Sequence, residues 1–127
     1  MNQPPPIPPP LKAAVGNVTT GTNALASSNT GNKNLAAGQN IPANLARVNT
    51  ANNKAANAFN LGAQNINKSL PLINTNKNLK KHLINAKNHF TSAAINSAAN
   101  KPINAANHAR RGVNSLKKYI GANRSNA

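Results

Sequence analysis

Residues 75–100 read TNKNLKKHLINAKNHFTSAAINSAAN, and the spacing inside this stretch decides the fold. Leu79, Leu83, Ala86, Phe90, Ala93 and Ser97 follow one another at intervals of 4, 3, 4, 3 and 4. An α-helix turns once in about 3.6 residues, so these six positions fall on one face. A strand needs alternation at period two, and the stretch does not have it. Thr75 or Asn74 stands where a helix cap is wanted, and Leu72–Ile73 precede as a hydrophobic staple.

The same alternation extends in both directions. Upstream, Leu45, Val48, Asn52, Ala55, Phe59, Gly62 and Ile66 predict a helix over residues 42–70. Pro42 suits a first helical position and Asn40 a cap, while Pro71 disfavours the helical conformation in Leu70 and so ends the segment. Downstream, Pro102 breaks one run and opens the next. Ile103, Ala106, Ala109, Val113, Leu116 and Ile120 predict a helix over residues 102–120, with Gly121 as its stop and residues 122–127 as a loose tail. Large and small residues share these seams, which lets a partner helix approach closely. The seam fits a helical hairpin core at least as well as a coiled coil.

The first third of the chain is less regular. Residues 11–41 contain Gly16, Gly21, Gly31 and Gly38, and a glycine inside a helix costs about 1 kcal/mol. Leu11, Val15, Val18, Thr22 and Leu25 still recur at helical spacing, so a weak helix near residues 11–27 is expected, followed by a loop through Gly38. Residues 1–10, MNQPPPIPPP, predict an extended polyproline arm. Pro5 and Pro8, like Pro6 and Pro9, match a bare PxxP spacing, but no Lys or Arg follows two residues after the second proline. Pro4, Pro5, Pro6, Ile7, Pro8, Pro9 and Pro10 are therefore read as an arm laid along a neighbouring subunit. The expected fold class is all-α, three or four helices broken by Pro and Gly with an extended Pro-rich arm, ordered mainly within an assembly.

The charge balance narrows the function. The chain of 127 residues carries 15 Lys and Arg and no Asp or Glu. An ordinary domain is about a quarter charged with both signs mixed. Asn, present 27 times, supplies the polarity that carboxylates usually provide, and 23 Ala supply much of the apolar fraction. No cation has an acidic side chain to pair with, so no helical Glu–Lys pair can form. Two such charges about 10 Å apart in water repel by about 0.4 kcal/mol before screening, and an external anion relieves this. The apolar complement is thin, with Phe59, Phe90 and Tyr119 as the aromatic residues, so partial disorder of the free chain is expected.

Catalytic chemistry lacks its parts. Without Asp or Glu the chain has no carboxylate pair for acid–base work, no acid to orient a Ser–His dyad and no hard-cation cage; without Cys it has no thiol nucleophile. His82 and His89 are seven residues apart and share a helix side, with His108 further on. That spacing is unspecific for metal, and these residues are read as conditional positive charges. No cofactor and no small-molecule substrate are expected. Two glycosylation sequons, at Asn17 and Asn67, are expected by chance in so Asn-rich a chain.

Cations concentrate towards the C-terminus. Residues 1–53 hold Lys12, Lys33 and Arg47, and the remaining 12 lie in residues 54–127. Lys77, Lys80, Lys81, Lys87, Arg110, Arg111, Lys117, Lys118 and Arg124 are the expected anion contacts, through phosphate charge rather than base reading. Leu45, Val48, Phe59, Ile66, Leu79, Leu83, Phe90, Val113, Leu116 and Ile120 are the expected protein-docking positions beside the proline arm. An extended arm joined to basic helices is of a type with small internal or minor structural proteins of virions, although no motif aligns. The expectation is a non-enzymatic basic structural protein of a large nucleoprotein particle, an internal or minor capsid component bridging protein subunits and an acidic surface or packaged genome. It would sit in a virion interior or on an inner shell surface. Otherwise the chain is expected inside the cell, since its N-terminus lacks the basic and apolar regions of a signal peptide. Two alternatives are a non-specific nucleic-acid-condensing or ribosome-associated protein, and, less favoured for want of Trp and of broad apolar faces, a membrane-active amphipathic protein.

Overall fold

All six seam residues from Leu79 to Ser97 are buried in the computed structural model, which describes residues 6–73 and 77–125. The described residues form four α-helices and no strand: α1 Pro9–Ala36, α2 Ile41–Ser69, α3 Lys77–Ala98 and α4 Pro102–Ser125, with a 3-10 turn at Leu70–Leu72. The fold is all-α. Prolines sit in the first turns of α1, α2 and α4, where a missing N–H is harmless. The cap positions Thr75 and Asn74 lie outside the described residues.

The helices pack in chain order, α1 on α2, α2 on α3 and α3 on α4, and α4 returns to α1 through a smaller contact. Short connections make neighbours antiparallel, giving an up-down-up-down four-helix bundle. After α1, the N–H of Gly38 (φ 70°) donates to Leu35 and that of Gln39 to Asn34, which closes the helix in the left-handed manner glycine favours. After α3, Asn100 (φ 57°) takes the corresponding place, with N–H bonds from Asn100 to Ser97 and from Lys101 to Asn96.

The bundle centre is built from two phenylalanines and two glycines. Phe59 of α2 and Phe90 of α3 stack with ring centroids 6.3 Å apart and planes 4° from parallel. Each ring is backed by a glycine on its hairpin partner. A β-carbon at Gly21 of α1 would lie 2.8 Å from Phe59, and one at Gly112 of α4 would lie 2.6 Å from Phe90. These glycines, which cost helix propensity, make room for the two phenylalanine rings of the core.

That packing alters several expectations. α1 runs unbroken from Pro9 to Ala36, so residues 28–36 are helix rather than loop. Its buried face is Leu11, Ala14, Val18, Gly21, Leu25 and Ser28, while Val15 is half exposed. α4 rotates likewise: Ala105, Ala109, Leu116 and Tyr119 are core, whereas Ile103 is 66% exposed. In both helices a small residue faces the partner because only a small residue admits the opposing aromatic ring. On α2, Asn44 is buried in place of Leu45, and the Asn44 amide donates to the carbonyls of Gln39 and Asn40. Gly121 does not stop α4, which continues to Ser125.

The expected docking positions divide in the same way. Val48, Phe59, Ile66, Leu79, Leu83, Phe90 and Leu116 are buried within the chain's own core, so their apolar surface is already covered. Val113 and Ile120 pack against that core from its edge. Leu45 stays about half exposed, as do Ile41 and Leu61. Pro9 and Pro10 belong to α1 rather than to a polyproline arm. Pro8 keeps extended backbone (φ −58°, ψ 140°) and is buried, and with Pro6 it lines a pocket shared with Leu72, Ile73, Leu79 and Tyr119. Ile7 packs on the core, so residues 6–8 lie along their own bundle. Pro4 and Pro5 lie outside the described residues.

Candidate anion-binding surface

The bundle separates charge between its two hairpins. α1 and α2 carry five cations, Lys12, Lys33, Arg47, Lys54 and Lys68, whereas α3, α4 and their connection carry ten, with all three histidines. The ten are Lys77, Lys80, Lys81, Lys87, Lys101, Arg110, Arg111, Lys117, Lys118 and Arg124. All nine expected anion contacts therefore stand on the second hairpin. Lys80 and Lys87 are partly buried and the other seven are exposed.

Helical spacing arranges them in rows. Arg110, Lys117 and Arg124 recur every seven residues along one flank of α4, and Arg111 and Lys118 do so along the other. Seven residues are nearly two turns, or about 10.5 Å of rise. Lys80 and Lys87 form a matching row on α3, with Lys87 in the α2–α3 groove beside Asn60, Gln64 and Asn67. Lys77 and Lys81 stand on the outer surface of α3.

On the opposite flank of α3 the helical register brings together residues that are distant in sequence. His89 of α3 meets His108 of α4 with ring centroids 6.1 Å apart and tilted by 33°. Burial holds the His89 pKa below the ordinary histidine value, and the charges of His108 and Arg111 push it the same way. Among the described residues the Nδ1 atom of His108 is enclosed without a hydrogen-bond partner. Sequence spacing alone pairs His89 with His82; the contact with His108 follows from the α3–α4 register, for which no local sequence signal exists. Tyr119, almost wholly buried at the other end of α4, has its pKa raised by burial.

Asparagines hold the upper end of the bundle together. Ser28 donates to the Asn52 carbonyl oxygen across α1 and α2, and Asn52 donates at 3.1 Å to Asn100 in the α3–α4 connection. Asn32 and Asn100 exchange amide bonds of 2.9 and 3.3 Å. Asn65 donates to Asn17 at 2.8 Å lower on the first hairpin. An amide carries both a donor and an acceptor, so asparagine links helices here without introducing a negative charge. Lys33 of α1 and Ile41, Leu45 and Arg47 of α2 flank the α1–α2 connection, and Arg47 donates to the Ser27 hydroxyl at 3.1 Å.

A concavity of about 580 Å³, open to solvent, lies between α1 and α2, where Arg47 and Lys54 are the cations among its lining residues. It is away from the charged rows and is less suited to a polyanion than they are. Among the described residues no helix is long and apolar enough to cross a membrane, and no group of three His, Cys, Asp or Glu is placed to hold a metal ion. No protein-family model, curated protein or solved structure matches the chain.

Proposed function

We propose that this chain is a non-enzymatic basic structural protein of a large nucleoprotein particle, an internal or minor shell component of the kind found in virions, joining protein subunits to packaged nucleic acid or an acidic surface. The observation that carries the reading is the second hairpin, which presents ten cations, seven of them in rows along its two helices, in a chain without one acidic side chain. Rows in which the cations step by about 10.5 Å of rise suit a polyanion that runs along the hairpin better than a single small ligand. Phosphate contact supplies affinity without sequence reading, and the sequence has neither the Cys/His spacing of a zinc finger nor the paired aromatics of base-reading modules. Protein contact falls to the apolar residues left exposed, among them Ile41 and Leu45 in the first turns of α2 and Ile95 and Ile103 on either side of the α3–α4 connection.

The test is binding of the purified full chain to duplex DNA, to RNA and to polyglutamate over a salt series. The expected result is tight, sequence-independent binding of nucleic acid that weakens steeply with salt. Absence of binding to all three polymers at low ionic strength overturns the reading. Binding to polyglutamate alone moves the partner from nucleic acid to an acidic protein surface.

A further inference from the structure

We propose that the α3–α4 groove at His89, His108 and Arg111 is a discrete binding site for a tetrahedral oxyanion, a phosphoryl group by chemistry, and that the site takes up a proton as the anion binds. The proposal deepens the anion-surface reading and rests on it, but it singles out one locus among the cationic rows.

Three observations converge there. First, two imidazoles 6.1 Å apart and a guanidinium on the adjoining turn of α4 are gathered with no carboxylate side chain anywhere in the chain to balance them. Second, the His108 Nδ1 atom is enclosed with no partner among the described residues. Such an atom costs free energy until something hydrogen-bonds to it, and an oxyanion oxygen accepts from a ring N–H. Third, in the unliganded protein the cationic form of His89 is disfavoured by burial, by His108 and by Arg111. An anion between these groups reverses the two charge effects, so the imidazole gains a proton on binding. The groups facing His89 from α4 are His108 and Arg111. α2 packs on the other flank of α3, where Asn60, Gln64 and Asn67 surround Lys87, and the charges that act on His89 are those of α4 rather than of Arg47, Lys54 or Lys68 on α2.

A second rung extends the site. Contact of Gly112 with Phe90 fixes the antiparallel register, and by that register Lys118 lies near the level of His82. One heptad along, the pair repeats a histidine on α3 with a cation on α4. A metal ion is the competing occupant of a histidine pair, but Arg111 beside the rings repels a cation.

The experiment uses the full chain and sulfate, which keeps its charge between about pH 5.5 and 7.5, where histidine titrates and phosphate also does. The ring resonances of His89 are followed by NMR through a pH titration with and without sulfate, and sulfate affinity is measured at each end of the range. The expected result is an upward move of the His89 midpoint and an affinity about tenfold higher at the acid end, the equivalent of about one pKa unit. Arg111→Gln abolishes both effects, His89→Gln abolishes the pH dependence, and Arg47→Gln, an equal loss of charge on α2, leaves both in place. A thymidine oligonucleotide in parallel separates the sources. A larger His89 shift with the oligonucleotide than with sulfate assigns the site to backbone phosphates, and equal shifts assign it to a free oxyanion. A His89 midpoint indifferent to sulfate overturns the proposal even without any variant, as does equal weakening by Arg47→Gln and Arg111→Gln. Zinc binding that shifts both histidines while sulfate does not also overturns it. In each of these cases salt-dependent nucleic-acid binding persists if the broader reading holds, so the two fail separately.

Discussion

A β-carbon at Gly112 would sit 2.6 Å from the Phe90 ring, and one at Gly21 would sit 2.8 Å from Phe59, whereas at Gly16 it would meet nothing within 4 Å. The same Gly→Ala change therefore has opposite signs within one bundle. At Gly16 it removes unfolded-state freedom from a mid-helix position and stabilises by about 0.5–1 kcal/mol. At Gly112 or Gly21 the ring must move, and overpacking of a fitted core costs about 1–3 kcal/mol. Urea denaturation followed by helical circular dichroism separates the outcomes. Equal midpoints for Gly16→Ala and Gly112→Ala contradict the packing described.

At the scale of the helices, what joins the two hairpins at their upper end is an amide network. Asn52→Ala leaves the fully buried Ser28 hydroxyl without its acceptor and breaks the link to Asn100. A loss of about 1–3 kcal/mol is expected, and adding Ser28→Ala recovers part of it because no stranded donor remains. A double-mutant cycle in urea measures this, and strict additivity means that the two residues are not coupled. The α3–α4 hairpin also carries a pH dependence. The folded His89 pKa lies below its unfolded value, so the unfolded chain binds its proton first as pH falls. The stabilising contribution is full above the ordinary histidine value of 6.5 and is lost on acidification through the folded value. Without a bound anion, the bundle should melt lower at about pH 5 than at about pH 7.5, and His89→Gln should flatten that difference. A melting temperature independent of pH in the unmodified chain counts against the His89 environment.

At the scale of the molecule, the rows of charge belong to one hairpin. Replacing Arg110, Lys117 and Arg124 with Gln together should lower the slope of log K against log salt for duplex DNA by about three units at most, near 0.9 for each phosphate no longer neutralised. The same neutralisation at Lys12, Lys33 and Arg47 removes equal net charge from the other hairpin and should change the slope by less. Fluorescence anisotropy over a salt series reads both. Equal effects of the two triple variants mean that net charge alone, rather than its placement, governs binding.

The amino-acid sequence by itself determined the helical class, the bounds of α2 and α3 to within about two residues, and the excess of cations, because helical periodicity, proline and charge are local properties. Every seam residue of α3 from Leu79 to Ser97 proved buried. It also placed the nine cations proposed for anion contact in one region of the chain, which became one hairpin. Tertiary structure alone decided which face of α1 and α4 turns inward. There Gly21 and Gly112 outrank Val15 and Ile103, since a seam read by hydrophobicity favours large residues while a bundle must fit the rings of Phe59 and Phe90 against something small. It alone set His89 beside His108 and Asn52 beside Asn100, because those pairings depend on how far one helix slides along the next, and that register is fixed by packing across residues far apart in the chain.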